Sequence, residues 1–140
     1  MKKLLKACIV DDDSIYRFTM VKTLESTQLP MDITAFSDGE EVLDFIVANL
    51  DKDSELPDVI FLDIDMPVMD GFQFMDAYLK IKDEVVKNIT IYMVSSSLDP
   101  VDIAKAHKIS AISDYIVKPV GSVRLKSIIE ALLSEKKEAS

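Results

Sequence analysis

The sequence is poor in the residues that most often build disulfide frameworks, metal centres and catalytic dyads. Among 140 residues there is one cysteine, Cys8, and one histidine, His107. A lone cysteine excludes an internal disulfide and a Cys-rich zinc site, and a lone histidine removes most catalytic dyads and His-based metal sites. Positive charge is also short: 16 Lys and Arg stand against 25 Asp and Glu, a net charge of −9. Autonomous binding to DNA or RNA relies on clustered Lys and Arg, so no direct nucleic-acid contact is expected. No stretch approaches the ~18 apolar residues of a membrane span. The opening Met1-Lys2-Lys3-Leu4-Leu5-Lys6 starts like a secretory leader, but Lys6 interrupts the apolar run and Asp11-Asp12-Asp13 ends it. The expected compartment is therefore the cytoplasm.

What remains is an ordinary globular mix, about half apolar and 29% charged, of a length that fits one domain burying roughly 70% of the surface of its unfolded chain. No internal repeat, low-complexity linker or domain boundary interrupts it. A single domain over 1–140 is expected, with its core at about 6–133 and residues 134–140, from the run Glu135–Ser140, as a frayed tail.

Five short apolar runs punctuate the chain: Ala7–Val10, Ile33–Phe36, Val59–Leu62, Ile91–Val94 and Tyr115–Val117. The first, third and fourth are continuous, as in strands buried on both faces. Between them lie segments with helical spacing: Ile15, Phe18, Val21 and Leu24; then Val42, Leu43, Ile46, Val47 and Leu50; and last Leu125, Ile128, Ile129, Leu132 and Leu133. Two more helices are expected at about 71–82 and 100–108. Ser37-Asp38-Gly39-Glu40-Glu41 has a capping-box pattern, and Asp99-Pro100 places a capping carboxylate before a first-turn proline. Five-fold β–α alternation implies a doubly wound α/β fold, a parallel sheet with helices on both faces.

In such sheets ligands bind beyond the carboxyl ends of the strands. The residues that follow the buried runs are Asp11, Asp12 and Asp13 after the first, Asp63 and then Asp65 after the third, Ser95, Ser96 and Ser97 after the fourth, and Lys118 and Pro119 after the fifth. If the first and third strands are neighbours, three carboxylates converge beside a hydroxyl and an ammonium group. Carboxylates gathered in a partly buried cleft repel one another, and a hard divalent cation such as Mg²⁺ relieves the repulsion while keeping room for waters and a phosphate. Lys118 and Ser95 would serve the remaining phosphoryl oxygens, leaving Asp63 as a nucleophile able to form an aspartyl phosphate.

These stretches resemble the receiver, or phospho-acceptor, domain of two-component response regulators. The resemblance is carried by Cys8–Asp13, Val59–Gly71, Met93–Ser96 and Tyr115–Pro119, and runs from about Lys6 to Leu133. It implies a flavodoxin-like five-stranded parallel sheet in the order 2-1-3-4-5 with five helices. It makes Asp63 the phosphorylated residue, and Asp11 and Asp12 the acidic pair that holds Mg²⁺, with Mn²⁺ as a substitute. Asp65 supplies a backbone carbonyl to the metal. Ser95 is the switch hydroxyl with Ser96 beside the phosphoryl site, Lys118 the phosphoryl-binding lysine, and Tyr115 the aromatic residue whose ring swings inward on activation. The Lys118–Pro119 bond is expected cis, and Asp65 and Ser97 are expected to tune the phosphoryl lifetime.

The implied role is that of a stand-alone phosphorelay module. A sensor histidine kinase or histidine phosphotransfer protein would donate, and a separate downstream protein would read the face formed by the fourth helix, fifth strand and fifth helix. It would be a monomer or a weak, phosphorylation-dependent dimer, and not a turnover enzyme. Two other readings stay open on the residues alone. Asp63-Ile64-Asp65 fits the Asp-x-Asp of haloacid-dehalogenase-type phosphohydrolases, although that motif belongs on a first strand. A receiver fold without phosphorylation is the other.

Several residues have plainer readings. Asp13 caps the first helix and Asp70-Gly71 turns the chain into the third, the glycine supplying backbone freedom. Cys8 is a small buried hydrophobe, and His107 an exposed helix end. Two segments depart from the family pattern: Lys108–Asp114 lacks a glycine before the fifth strand, and Asn49–Leu56 is longer than a tight turn needs.

Overall fold

The computed structural model describes residues 4–139. Strands and helices alternate: β1 (Leu5–Val10), α1 (Ser14–Ser26), β2 (Met31–Phe36), α2 (Gly39–Ala48), β3 (Val59–Leu62), α3 (Gly71–Ile81), β4 (Thr90–Ser95), α4 (Pro100–His107), β5 (Ile112–Val117) and α5 (Ser122–Ala139), with a 3₁₀ turn at Lys82–Glu84. All strand pairs are parallel and the sheet order is β2-β1-β3-β4-β5, the order implied by the resemblance.

Alternation along the strands splits the interior into two layers. Cys8, Val10, Ile60, Leu62, Ile91 and Met93 face one way, onto Val42 and Ile46 of α2, Phe74 and Tyr78 of α3, and Ala106 of α4. Leu5, Ala7, Ile9, Val59, Phe61 and Val94 face the other, onto Met20 and Leu24 of α1 and Leu125, Ile128 and Ile129 of α5. Burial of both faces explains why the central strands are continuous apolar runs.

The helix starts follow local chemistry. Asp13 caps α1 through hydrogen bonds from the Ile15 and Tyr16 backbone N–H groups. Asp38 accepts from Glu41 N–H while Glu41 accepts from Ser37 N–H, and Asp70 with Gln73 closes a reciprocal capping box. Asp99 precedes Pro100 in the first turn of α4.

The edges differ from the sequence reading. β2 begins at Met31 and β5 at Ile112, each ahead of its apolar run. Edge strands tolerate polar residues on their open side, so Asp32, Ser113 and Asp114 mask the pattern. In β5, Ile112 pairs with Ile91 and Asp114 with Tyr92, which leaves Ser113 as a bulge. The missing glycine before β5 is explained: the positive-φ residues among those described are Gln28 and Val68, so the turn from α4 into β5 needs no left-handed residue. The long Asn49–Leu56 connection is held by Glu55 N–H to Lys52 O and Val86 N–H to Leu50 O, and ends on the fully buried Leu56.

Two expectations are corrected. The run from Glu135, read as a frayed tail, is helical through Ala139, and Lys136 Nζ reaches Asp58 at 3.1 Å. Gly71 does not have a positive φ; glycine is required there because a Cβ would lie 2.3 Å from the Asp63 carbonyl oxygen. Cys8 is buried, as expected, and burial pushes its thiol far above the ordinary value.

Candidate functional site

Three neighbouring strands, β1, β3 and β4, with β5 beside them, carry the polar residues of the site at their carboxyl ends. Asp11 leaves β1 and Asp63 leaves β3; both are buried, at 2% and 6% exposure, while Asp12 is exposed. Carboxylate oxygens of Asp11, Asp12 and Asp63 all lie within 4.8 Å of one another. The adjacency comes from β1–β3 pairing, which continues past the ladder in the Asp63 N–H to Val10 O bond.

Lys118, from the end of β5, supplies the cation. Its Nζ lies 2.6 Å from Asp11 Oδ2 and 3.6 Å from Asp63 Oδ2. Its backbone N–H donates to Ser95 O, and its bond to Pro119 is cis. Asp11 Oδ1 accepts the Asp13 N–H and Asp63 Oδ1 accepts the Ile64 N–H, so backbone donors fix both carboxylates.

The electrostatics are unbalanced. Burial, then repulsion from Asp11, pushes the Asp63 carboxyl from 3.8 up to about 6, although Lys118 and the Ile64 hydrogen bond pull it down. Burial alone would lower the Lys118 ammonium, yet its hydrogen bond to Asp11 and the two carboxylate charges raise it overall. One ammonium facing three carboxylates leaves an excess of negative charge. An all-oxygen donor set, with no imidazole or thiolate in the group, suits a hard divalent cation rather than a soft one.

The remaining sequence-derived residues surround this centre. Ser95 is fully buried, and its Oγ accepts the Ser97 N–H at 3.1 Å. Ser97 Oγ donates to Asp102 on α4, and its carbonyl accepts from Tyr115 Oη at 2.8 Å. Tyr115 is half-buried and tied to the loop after β4. Ser96 and the Asp65 side chain are exposed, and Asp65 is not among the converging carboxylates. Val68, at φ 66°, marks a left-handed turn in the loop between β3 and α3, beside the site.

Two neighbours of the site were not legible as such. Arg17 Nη1 donates to the Asp11 carbonyl at 2.7 Å, and the Tyr16 ring lies against Lys118 Nζ, 4.1 Å from its centroid. Their position in the first turn of the helix after the acidic run was the only available signal.

Comparison with known proteins identifies the family. The family described as response regulator receiver domain matches residues 7–130. The chain is 33% identical over 138 residues to the probable transcriptional regulator ycf27 of Guillardia theta, covering 96% of this chain and 48% of that protein. It is 31% identical over 121 residues to hybrid signal transduction histidine kinase I of Dictyostelium discoideum, covering 86% of this chain and 7% of that one. It thus spans less than half the length of either relative. Among solved structures, a two-component response regulator from Cytophaga hutchinsonii superposes with a TM-score of 0.82 at 25% identity, over 95% of this chain and 99% of that one. None of these comparisons favours a phosphohydrolase, whose Asp-x-Asp belongs on a first strand rather than on β3. The chain belongs to the response regulator receiver domain family.

Proposed function

We propose that Asp63 accepts a phosphoryl group from a phosphohistidine, and that this switches an interaction surface formed by α4, β5 and α5. The observation that supports the reading best is the convergence of the Asp11, Asp12 and Asp63 carboxylates, with Lys118 paired to Asp11 and Asp63. A carboxylate oxygen of Asp63 forms the new bond to phosphorus as the bond from phosphorus to the imidazole nitrogen breaks, and the electron pair returns to that nitrogen. The product is a mixed anhydride on Asp63.

Mg²⁺ held by Asp11, Asp12 and Asp63, with the Asp65 carbonyl as a further ligand, would supply charge neutralisation for the transferred group; Mn²⁺ has the same preference for oxygen ligands. Lys118 stands 3.6 Å from Asp63 and is placed to pair with a phosphoryl oxygen there. Ser95 supplies a hydroxyl and Ser96 the adjacent loop position.

The proposed switch would run through the hydrogen bonds of the loop after β4. If Ser95 Oγ turns to the phosphoryl group, it gives up the Ser97 N–H. Ser97 is also the residue whose carbonyl holds Tyr115 and whose hydroxyl holds Asp102 on α4, so the rearrangement reaches both elements. Moving such an equilibrium from 1:99 to 99:1 takes about 5.5 kcal/mol of differential stabilisation, within reach of a few charge-assisted contacts to a phosphoryl group. Val101 of α4, Val117 of β5 and Val123 of α5 are exposed large apolar residues on the elements expected to meet a downstream protein.

The test is incubation with Mg²⁺ and acetyl phosphate, followed by intact-mass measurement. A gain of one phosphoryl group that disappears in Asp63→Asn is the expected result. No adduct on the wild-type chain would favour a receiver fold that works without phosphorylation.

A further inference from the structure

Lys118 approaches the acidic site on a flexible four-carbon stem, and β5 alone does not determine where its ammonium stops. Two acceptors face it, Asp11 Oδ2 and Asp63 Oδ2. Its third neighbour is the aromatic face of Tyr16, 4.1 Å from Nζ to ring centroid. From this geometry we infer that Tyr16 is a positioning residue, whose ring holds the Lys118 ammonium against Asp11 and Asp63 so that it is in place when a phosphoryl group arrives. The inference rests on the proposed acceptor role of Asp63 and adds what sets the lysine's position.

Core packing alone accounts poorly for a tyrosine here. Tyr16 packs partly against the layer between α1 and the sheet, one and two turns before the buried Met20 and Leu24, a contact that a leucine or methionine would also make. The tyrosine instead carries a buried hydroxyl with no hydrogen bond of good geometry; the backbone of Val120 is the neighbouring polar group. A buried hydroxyl without a partner opposes folding. What the aromatic residue supplies in return is a π face for a largely desolvated cation, a contact whose strength grows as water is removed. Lys118 meets that condition, with its side chain 16% exposed.

The backbone that carries the ring is anchored. The Tyr16 N–H donates to Asp13 Oδ1, while Arg17, the next residue, grips the Asp11 carbonyl. The start of α1 is thereby fastened to the same turn that carries Asp11 and Asp12. Ring, ammonium and carboxylates form one unit built from α1, β5, β1 and β3.

The experiment uses the full chain and two readouts. In metal-free protein, NMR should show the Lys118 side-chain protons shifted upfield by the ring current of Tyr16; Tyr16→Phe keeps the shift and Tyr16→Leu removes it. In phosphorylation by acetyl phosphate with Mg²⁺, Tyr16→Leu should lower the maximal rate about five- to thirtyfold, with Mg²⁺ affinity and the KM for acetyl phosphate unchanged, and Tyr16→Phe should recover most of the loss. Equal rates for wild type and Tyr16→Leu would overturn the inference, as would an equal loss in Tyr16→Phe and Tyr16→Leu. Should Tyr16→Leu fail to fold by circular dichroism, Tyr16→Met replaces it, and absence of the upfield shift from both wild type and Tyr16→Phe overturns the contact itself. A wild-type chain that takes no phosphoryl group while keeping the shift would overturn the acceptor role of Asp63, and the proposed purpose of the contact with it.

Discussion

Asp58 and Asp63 stand at opposite ends of the same four-residue strand and receive opposite treatment. Asp58, just before β3, accepts the Lys6 backbone N–H at 2.8 Å and lies 3.3 Å from Lys87 Nζ and 3.1 Å from Lys136 Nζ. It gathers two ammonium groups and a backbone donor from three other parts of the chain. Asp63, just after β3, has one lysine at 3.6 Å, and that lysine is closer to Asp11. A carboxylate whose partners are complete can only hold the fold together. One whose partners are incomplete is free to meet an incoming ligand, and the repulsion it bears is the cost of that freedom.

The largest test of this contrast is a pair of substitutions read by phosphoryl incorporation. Asp63→Asn should abolish the adduct formed with acetyl phosphate, whereas Asp58→Asn should leave it intact. By denaturant titration the ranking changes sides: Asp58→Asn should lower stability by about 1–3 kcal/mol, because Lys87 and Lys136 lose a charged acceptor in a partly buried setting. An Asp58→Asn chain as stable as wild type would mean that the three-way cluster is ornamental.

Gly71→Ala attacks the Asp63 end through packing rather than charge. A Cβ 2.3 Å from the Asp63 carbonyl oxygen cannot be accommodated without moving backbone. The expected loss is about 1–3 kcal/mol, accompanied by slower phosphorylation even after the chain has refolded. The same change at Gly121, where an added Cβ meets nothing, is the control and should affect neither readout.

A smaller effect is expected from pH. The folded chain binds a proton on Asp63 more tightly than the unfolded chain does, with a value of about 6 against 3.8. That group's contribution to stability is therefore full below about pH 4 and is lost as pH rises through 6. In chelator-treated protein, Asp63→Asn should match wild type in Tm near pH 4 and become progressively the more stable of the two toward pH 7. A difference that stays flat across this interval would show that Asp63 is not electrostatically strained. The smallest effect belongs to Lys136→Met, one of two cations on Asp58 and partly buried, which should cost up to about 1 kcal/mol and leave phosphorylation unchanged.

Much of this molecule could be read before its coordinates. The central strands and the helix caps were legible because parallel strands buried on both faces leave uninterrupted apolar runs, and because capping depends on residues only two or three positions apart. The acidic site was legible for a related reason: in this topology the residue after each buried run falls at one end of the sheet. The edges were harder, since Asp32, Ser113 and Asp114 sit where half the strand faces water and the periodic signal fades. Asp58 gave no sign at all; its partners lie 29 and 78 positions away for the lysines and 52 for the backbone donor, a convergence that no local pattern encodes. The run after Glu135 read as a tail because charged residues dominate it, yet Lys136 ties the end of that helix to Asp58, just ahead of β3. Gly71 was read as a flexible turn, when its role is to admit a neighbouring carbonyl.

The ion pair between Asp11 and Lys118 spans 107 positions of sequence. Until β5 has docked, Asp11, Asp12 and Asp63 have no ammonium beside them. A fragment cut anywhere ahead of Lys118, or a nascent chain still waiting for its last strand, would carry an acidic pocket lacking its lysine. The compensating charge is thus the last part of the site that the chain can supply.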